Sequence, residues 1–142
     1  MSKRIKVIFP VPMNEHTKEL IETQIPREFI GEHFEVDFVG SKRLMSLANS
    51  YYDTFIMDSI VIEAGMKAEE EGFDAVCINT VSDSGMNALR ARLNIPVIGP
   101  GQAAFHMACT LGHKFSILTM WEPWVPLYTK TLTEYGLNHR CA

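Results

Sequence analysis

The nine residues from Cys77 to Gly85, CINTVSDSG, combine one thiol with hydroxyl, amide and carboxyl side chains. They follow a short apolar run, Phe73 to Ile78, and precede a helix-like segment from Met86 to Leu93. Three interpretations compete: a reactive thiol at Cys77, an anion-binding loop that does not use the thiol, or a turn that only caps the helix. The local sequence leaves anion binding and simple capping open.

The chemistry of anion binding follows from the residues at the end of this loop. Ser82, Asp83 and Ser84 lie where side-chain oxygens accept hydrogen bonds from the unpaired N–H groups of a helix start. Asn79, Thr80 and Ser82 can instead turn donors outward, and the helix N-terminus adds partial positive charge. Such a group of donors suits a carboxylate or a similar oxyanion. Because the spacing matches neither a Walker A motif nor GxGxxG, nucleotide binding is not predicted.

The cysteines indicate core packing rather than catalysis or metal binding. Cys77 lies inside an apolar run, where a free cysteine is usually buried and unreactive. Cys109 lies on an Ala-rich segment and is also predicted to be in the core, whereas the position of Cys141 is not predicted. The sequence has no CxxC pair and its histidines are scattered, so we expect no metal site. Reduced cysteines also favour a cytoplasmic location.

Composition excludes several classes of partner. The chain has 142 residues, 46% of them hydrophobic and 21% charged, which suffices for one core but not for two full domains. Its net charge of -4 argues against nucleic acid and anionic membranes as partners. No apolar run approaches the roughly 20 residues of a membrane span. Pro10 and Pro12 interrupt the first apolar run, so a signal peptide is not expected.

Apolar runs of strand length alternate with segments of helical period, which predicts an α/β fold with a parallel, flavodoxin-like sheet and helices on both faces. The predicted strands are Ile5–Phe9, Phe34–Val39 near the sheet edge, Ala75–Ile78, Ile95–Ile98 and Lys114–Thr119. The predicted helices are Asn14 (as cap) to about Gln24, Thr54–Glu71, Met86–Leu93, Gln102–Leu111 and Trp121–Tyr135.

Ligands bind at the carboxyl edge of such sheets. The loops after Phe9, Ile78, Ile98 and Thr119 should therefore meet there. The polar loop from Gly40 to Tyr52 is predicted to fold over the same site.

The run from Glu70 to Trp121 resembles the central region of the aspartate/glutamate/hydantoin racemase superfamily, and it is most similar to the hydantoin and allantoin racemase branch. The matching motifs keep their order and spacing. They are Gly72-Phe73-Asp74-Ala75, Asp83-x-Gly85, Ala88-Leu89-Arg90, Ile95-Pro96-Val97-Ile98-Gly99, Ala103-Ala104 and Leu111-Gly112-x-Lys114-Phe115-Ser116.

The resemblance implies a cofactor-independent racemase or isomerase that acts on a small amino-acid-derived carboxylate, a hydantoin or a ureide. In this superfamily the site lies between two pseudosymmetric α/β halves, and two cysteines move the proton on opposite sides of the stereocentre. We therefore expect residues 1–113 to form the first α/β domain. Residues 114–142 would supply the opening strand and helix of an incomplete second half.

The sequence departs from the family at both thiols. Aligned on Asp83-x-Gly85, the first thiol position falls on Thr80, whose hydroxyl is a much weaker acid. The segment that would bring the second thiol is absent. The chain is then a piece of a longer protein, or another chain completes the site, or two-base chemistry is not used.

The resemblance also implies the rest of the site. Thr80 takes the first acid/base position, and the expected substrate contacts are Asn79, Val81, Ser82 and Gly85 in the anion site, and Pro10, Val11, Thr119 and Met120 on the opposite wall. Trp121 and Trp124 could line the pocket or an oligomer contact, and an interface or core packing is the more common role of tryptophan. We expect a homo-oligomer. Two other functions stay open: a single-thiol decarboxylase or lyase of the same superfamily, and a non-catalytic homologue that binds a carboxylate.

Overall fold

A computed structural model describes residues 2–23, 25, 27–43 and 49–142. The strands are β1 (Lys3–Phe9), β2 (Phe34–Gly40), β3 (Ala75–Ile78) and β4 (Val97–Ile98). The helices are α1 (Glu15–Glu22), α2 (Arg27–Ile30), α3 (Tyr51–Gly65), α4 (Met86–Arg92), α5 (Pro100–Leu111) and α6 (Val125–Glu134). Two single-turn 3-10 helices, Glu122–Trp124 and Asn138–Arg140, flank α6.

The four strands form one parallel sheet in the order β2-β1-β3-β4. β1 lies in the middle because its residues from Lys3 to Phe9 pair with β2 on one side and, from Ile5 to Ile8, with β3 on the other. The predicted parallel α/β sheet is confirmed, and so is the edge position of β2.

Alternating side chains of the strands build a core on each face of the sheet. Ile8 points into the larger cluster, where it packs with Val61 of α3 and Leu89 of α4. Val7 and Phe9 point to the opposite face and pack with Ile21 of α1. The helices therefore cover both faces, as the sequence predicts.

Local capping sets two of the helix starts. Asn14 caps α1 as predicted, since its side chain accepts a hydrogen bond from the backbone N–H of Thr17. The predicted end of α1 at Gln24 lies outside the described residues. α3 begins at Tyr51 rather than Thr54, because Ser50 caps it by accepting from the Asp53 N–H.

α3 ends at Gly65, not at Glu71 as predicted. After Gly65 the backbone tightens into turns, in which the N–H of Ala68 bonds to the Gly65 carbonyl. Gly72 then adopts a φ of +80°, a conformation that favours glycine, and turns the chain into β3.

The predicted strand from Lys114 to Thr119 is wrong. Only Phe115 pairs, in an isolated parallel bridge with Cys141. The Phe115 N–H bonds to the Arg140 carbonyl at 3.0 Å, and the Ala142 N–H bonds to the Phe115 carbonyl at 2.9 Å. A strand requires a ladder of such bonds along its length, whereas Leu118 is 100% exposed. The loop after Thr119 therefore does not join the carboxyl edge of this sheet as the end of a strand.

The predicted last helix forms, but in two parts. A 3-10 turn from Glu122 to Trp124 leads into α6, and Pro123 and Pro126 occupy first-turn positions in these two elements. Proline suits a first turn because its missing N–H would be unpaired there.

Residues 44–48 of the predicted covering loop lie outside the described part of the chain. Within the described ranges, no helix has both the length and the apolar character needed to span a bilayer.

Candidate active site

The strand register brings three chain segments together at the carboxyl edge of the sheet. Ile8 is level with Ile78, and Cys77 is level with Ile98, so the residues that follow these strands meet at one edge. The Asn79 N–H bonds to the Ile8 carbonyl at 2.8 Å, which holds the segment after β3 beside the end of β1. We call residues 79–85 the cradle loop.

The second half of the cradle loop is fixed by its own hydrogen bonds. The Asp83 N–H bonds to the Thr80 carbonyl at 3.0 Å, and the Ser84 N–H bonds to the Thr80 hydroxyl oxygen at 3.1 Å. The Gly85 N–H bonds to a carboxylate oxygen of Asp58, on α3, at 2.9 Å. Because its N–H is already bonded, Gly85 could contribute to anion binding only through its backbone conformation, which has a φ of +69°.

The first half of the loop presents donors that its own fold does not use. Among the described residues, the backbone N–H groups of Thr80, Val81 and Ser82 have no hydrogen-bond acceptor. The Asn79 side-chain amide likewise has no hydrogen-bond partner among the described residues. Every fully buried side-chain nitrogen or oxygen in the described residues does have a partner, so the unpaired Asn79 amide must reach solvent. Successive free amides in a turn can bind an anion.

Asp83 caps a different helix from the one predicted. Its carboxylate accepts hydrogen bonds from the N–H groups of Gly101 and Gln102, at 2.8 and 2.6 Å, in the first turn of α5. The hydroxyl of Tyr135 donates to the same carboxylate. α4, the helix that directly follows the loop, begins at Met86, and its N-cap residue Gly85 provides no side-chain cap.

The close approach of the cradle loop to α5 requires glycine at two positions. A Cβ atom at Gly99 would lie 2.4 Å from the Asp83 carboxyl carbon, and one at Gly101 would lie 2.0 Å from the Val81 carbonyl oxygen. Both distances are far below van der Waals contact. The run Gly99-Pro100-Gly101 is visible in the sequence, but its contact with the cradle loop is not, because it depends on the pairing of β3 with β4.

The other predicted site residues differ in how the structure supports them. Pro10 and Val11 follow β1 and so lie at the same sheet edge as the cradle loop. Thr119 has hydrogen bonds only within its own turn, at 3.4 Å to Trp121, and Met120 is 93% exposed. The opposite wall that these last two residues would form stays a prediction.

The Cys77 side chain packs on the face of the sheet that also carries Val7 and Phe9. Its neighbours Val76 and Ile78 point into the larger core cluster, whereas Cys77 packs against the cluster that contains Val7 and Phe9. Burial, and secondarily the negative charge of Asp83, raises the pKa of the Cys77 thiol. Cys77 is partly buried against the core, so the predicted core position is confirmed in part. A thiol with a raised pKa is a poor nucleophile at neutral pH.

The remaining cysteines and possible metal ligands add no further centre. Cys109 and Cys141 are partly exposed, and neither forms a disulfide. The prediction that Cys109 lies in the core is therefore confirmed only in part. Over the described ranges, His, Cys, Asp and Glu side chains form no group of three or more that could hold a metal ion.

The sequence as a whole identifies the family. A model of the Asp/Glu/Hydantoin racemase family matches residues 9–142. The chain belongs to this family. A hydantoin racemase from Pseudomonas sp. (strain NS671) is 33% identical over 91 residues, which are 64% of this chain and 36% of that protein. A hydantoin racemase from Rhizobium meliloti is 35% identical over 75 residues, or 53% of this chain and 31% of that protein.

Two solved structures share the fold. The allantoin racemase from Klebsiella pneumoniae superposes with a TM-score of 0.87 and 29% identity, covering 99% of this chain and 57% of that one. The allantoin racemase from Pseudomonas fluorescens gives a TM-score of 0.83 and 27% identity, covering 97% and 57%. This chain therefore spans little more than half of each solved relative, and about a third of the curated relatives that it matches.

Replacing Gly101 with alanine tests the packing of the cradle loop on α5. The new methyl group would collide with the Val81 carbonyl, and we expect the free energy of unfolding to fall by about 1–3 kcal/mol. Gly112→Ala, at the other end of α5, is the matched control, since its Cβ would lie 3.4 Å from the nearest atom. Urea unfolding of both variants measures the difference, and equal stabilities would contradict the close contact.

The position of Cys77 predicts slow alkylation. In a Cys109→Ser/Cys141→Ser variant, Cys77 should react with iodoacetamide at pH 8 about tenfold slower than a free cysteine peptide, because the thiol is partly buried and its pKa is raised. The rate should keep rising at pH values where the peptide has reached its plateau. Rapid labelling near pH 6 would show instead an activated thiol.

Proposed function

We propose that this chain supplies the substrate-binding edge of a cofactor-independent racemase or isomerase that acts on a small amino-acid-derived carboxylate, a hydantoin or a ureide. The observation that carries the proposal is the row of three backbone donors at Thr80, Val81 and Ser82, at the carboxyl edge of the sheet in a member of this racemase family. The names of the relatives, hydantoin and allantoin racemases, support the substrate class.

The free amides suit the charge that such a reaction develops. Removing the proton next to a carbonyl group moves negative charge onto the carbonyl oxygen. Donors that are already oriented toward that oxygen stabilise the transition state without reorganising. The N–H groups of Thr80 to Ser82 and the side-chain amide of Asn79 are donors of this kind. They carry no formal charge, which would bind the substrate and the transition state equally well and so would not raise the rate of the chemical step.

We assign Thr80 the first acid/base position. Its hydroxyl oxygen accepts a hydrogen bond from the Ser84 N–H, so the hydroxyl hydrogen can turn toward a bound substrate. The same bond withdraws electron density from the oxygen, which favours Thr80 as the acid that donates a proton to the stereocentre. The base that removes the proton from the opposite side would then come from the second half of the site, as the family resemblance implies. Asn79, Val81, Ser82 and Gly85 then form the anion site, with Pro10, Val11, Thr119 and Met120 proposed as the opposite wall.

The segment after α5 supports a proposed boundary at residue 113. Phe115 and Cys141 form a parallel bridge away from the four-stranded sheet, and Leu118 and Met120 are 100% and 93% exposed. These features support residues 114–142 as the opening of a second α/β half. We also propose a homo-oligomer, and a cytoplasmic location on the cysteine argument from the sequence.

Proton exchange tests the proposed reaction. Single enantiomers of allantoin and of 5-substituted hydantoins, incubated with the protein in deuterated water, should exchange the proton at the stereocentre and lose optical rotation faster than a protein-free blank. Thr80→Val should slow the exchange by about a hundredfold, the scale of one general acid or base. Thr80→Cys should retain or increase it, because a thiol is the stronger acid.

Cys77→Ser serves as the matched control. The Cys77 side chain packs against the core with Val7 and Phe9, so the substitution should leave the exchange rate unchanged. Exchange that survives Thr80→Val would overturn the role of Thr80. Release of carbon dioxide would assign a decarboxylase instead. Saturable binding with neither outcome would assign a non-catalytic carboxylate-binding protein.

A further inference from the structure

A buried carboxylate at Asp83 joins three separate parts of the chain. Its side chain bonds to the backbone of Gly101 and Gln102 on α5 and to the hydroxyl of Tyr135, just after α6. Asp83 itself belongs to the cradle loop and is only 6% exposed. It thus holds the loop against two elements that are distant in sequence.

We propose that Asp83 is a positioning residue, which sets the direction of the free amides of Thr80, Val81 and Ser82 by fixing the cradle loop to the first turn of α5. This inference rests on the proposed function, because it concerns how that anion site is built. Asp83 touches no substrate in this account. It acts through the backbone that follows Thr80.

The backbone conformation of Asp83 supports the inference. Its φ of +51° places it in the left-handed region, which a non-glycine residue adopts rarely and aspartate more readily than most. That turn sends the carboxylate inward to α5. Such a conformation persists only where the surroundings hold it, and the bonds to Gly101, Gln102 and Tyr135 are what hold it here.

Electrostatics explain how a buried carboxylate can lie so close to an anion site. A bare negative charge at Asp83 would repel an anion bound a few residues away. The first turn of α5 carries partial positive charge and bonds directly to the carboxylate, which offsets that repulsion. Burial, and then the bond to Asp83, raises the pKa of the Tyr135 hydroxyl, so Tyr135 stays protonated and remains a donor to Asp83.

The same geometry decides which helix start is open to a ligand. The N–H groups of Gly101 and Gln102 are already bonded to the Asp83 carboxylate. An anion at this edge is therefore directed to the cradle loop and not to the first turn of α5.

Asp83→Asn tests the role while keeping the shape of the side chain. The asparagine amide can accept through one oxygen only, so it cannot satisfy all three donors, and the loop should lose its orientation. Calorimetry with N-carbamoylglycine, which carries a carboxylate and a ureido group, should show that the variant binds at least about tenfold more weakly than the wild type. A tenfold loss is the scale of one lost charge-assisted hydrogen bond. Tyr135→Phe, which removes one of the three donors, should have a smaller effect.

Asp74→Asn is the matched control. The Asp74 carboxylate also accepts a backbone N–H, from Arg4 on β1, but it does not bond to the cradle loop. This variant should change the affinity by about twofold at most, even where it lowers stability, since the bonds that orient Thr80 to Ser82 remain. An equal loss of affinity in both variants would show that Asp83 only stabilises the fold, and would contradict the proposal.

Amide hydrogen exchange separates this inference from the proposed function. Asp83→Asn should speed exchange at residues 83, 84, 101 and 102 more than at the core strand β1. If the wild type fails to bind N-carbamoylglycine but this local acceleration occurs, the anion site is wrong and the positioning role stands. If these amides exchange at unchanged rates, the positioning role is wrong whether or not the anion binds.

Discussion

The buried contact between the Asp83 carboxylate and the first turn of α5 holds the carboxyl edge of the sheet together. It joins the loop after β3 to the start of the helix after β4, two segments that the parallel sheet already places side by side. Gly99 and Gly101 permit the approach, because any side chain there would collide with the loop. The donors of the cradle loop owe their placement to this contact rather than to the helix that follows them in sequence.

Much of the fold follows from local patterns that do not need tertiary information. The apolar run of β1 and the cap at Asn14 are strong signals because they depend on neighbours within a few residues. The run from Lys114 to Thr119 has an equally strong apolar pattern, yet it forms no strand. An apolar run indicates that a segment tends to be buried, but a strand also needs a neighbouring strand to pair with along its length. Within this segment only Phe115 is paired, with Cys141.

The candidate site is predictable in its residue types but not in its bonding. Polar residues directly after a buried strand indicate donors at the carboxyl edge of a sheet, which places Asn79 to Ser82 correctly by sequence alone. The sequence does not predict which amides stay free, because the later N–H groups of the loop bond to the Thr80 hydroxyl and to Asp58, on α3. Cys77 was predictable as core because side chains alternate along a strand, and its neighbours Val76 and Ile78 fill the opposite face.

Backbone resonances give the most direct test of whether the free amides bind the anion. In a titration of the 15N-labelled protein with N-carbamoylglycine, we predict that the amide signals of Thr80, Val81 and Ser82 shift most and saturate together. The signals of Gly101 and Gln102, which are bonded to Asp83, should move little. Saturable shifts centred on the first turn of α5, or no shifts at the cradle loop, would show that the free amides do not bind the anion.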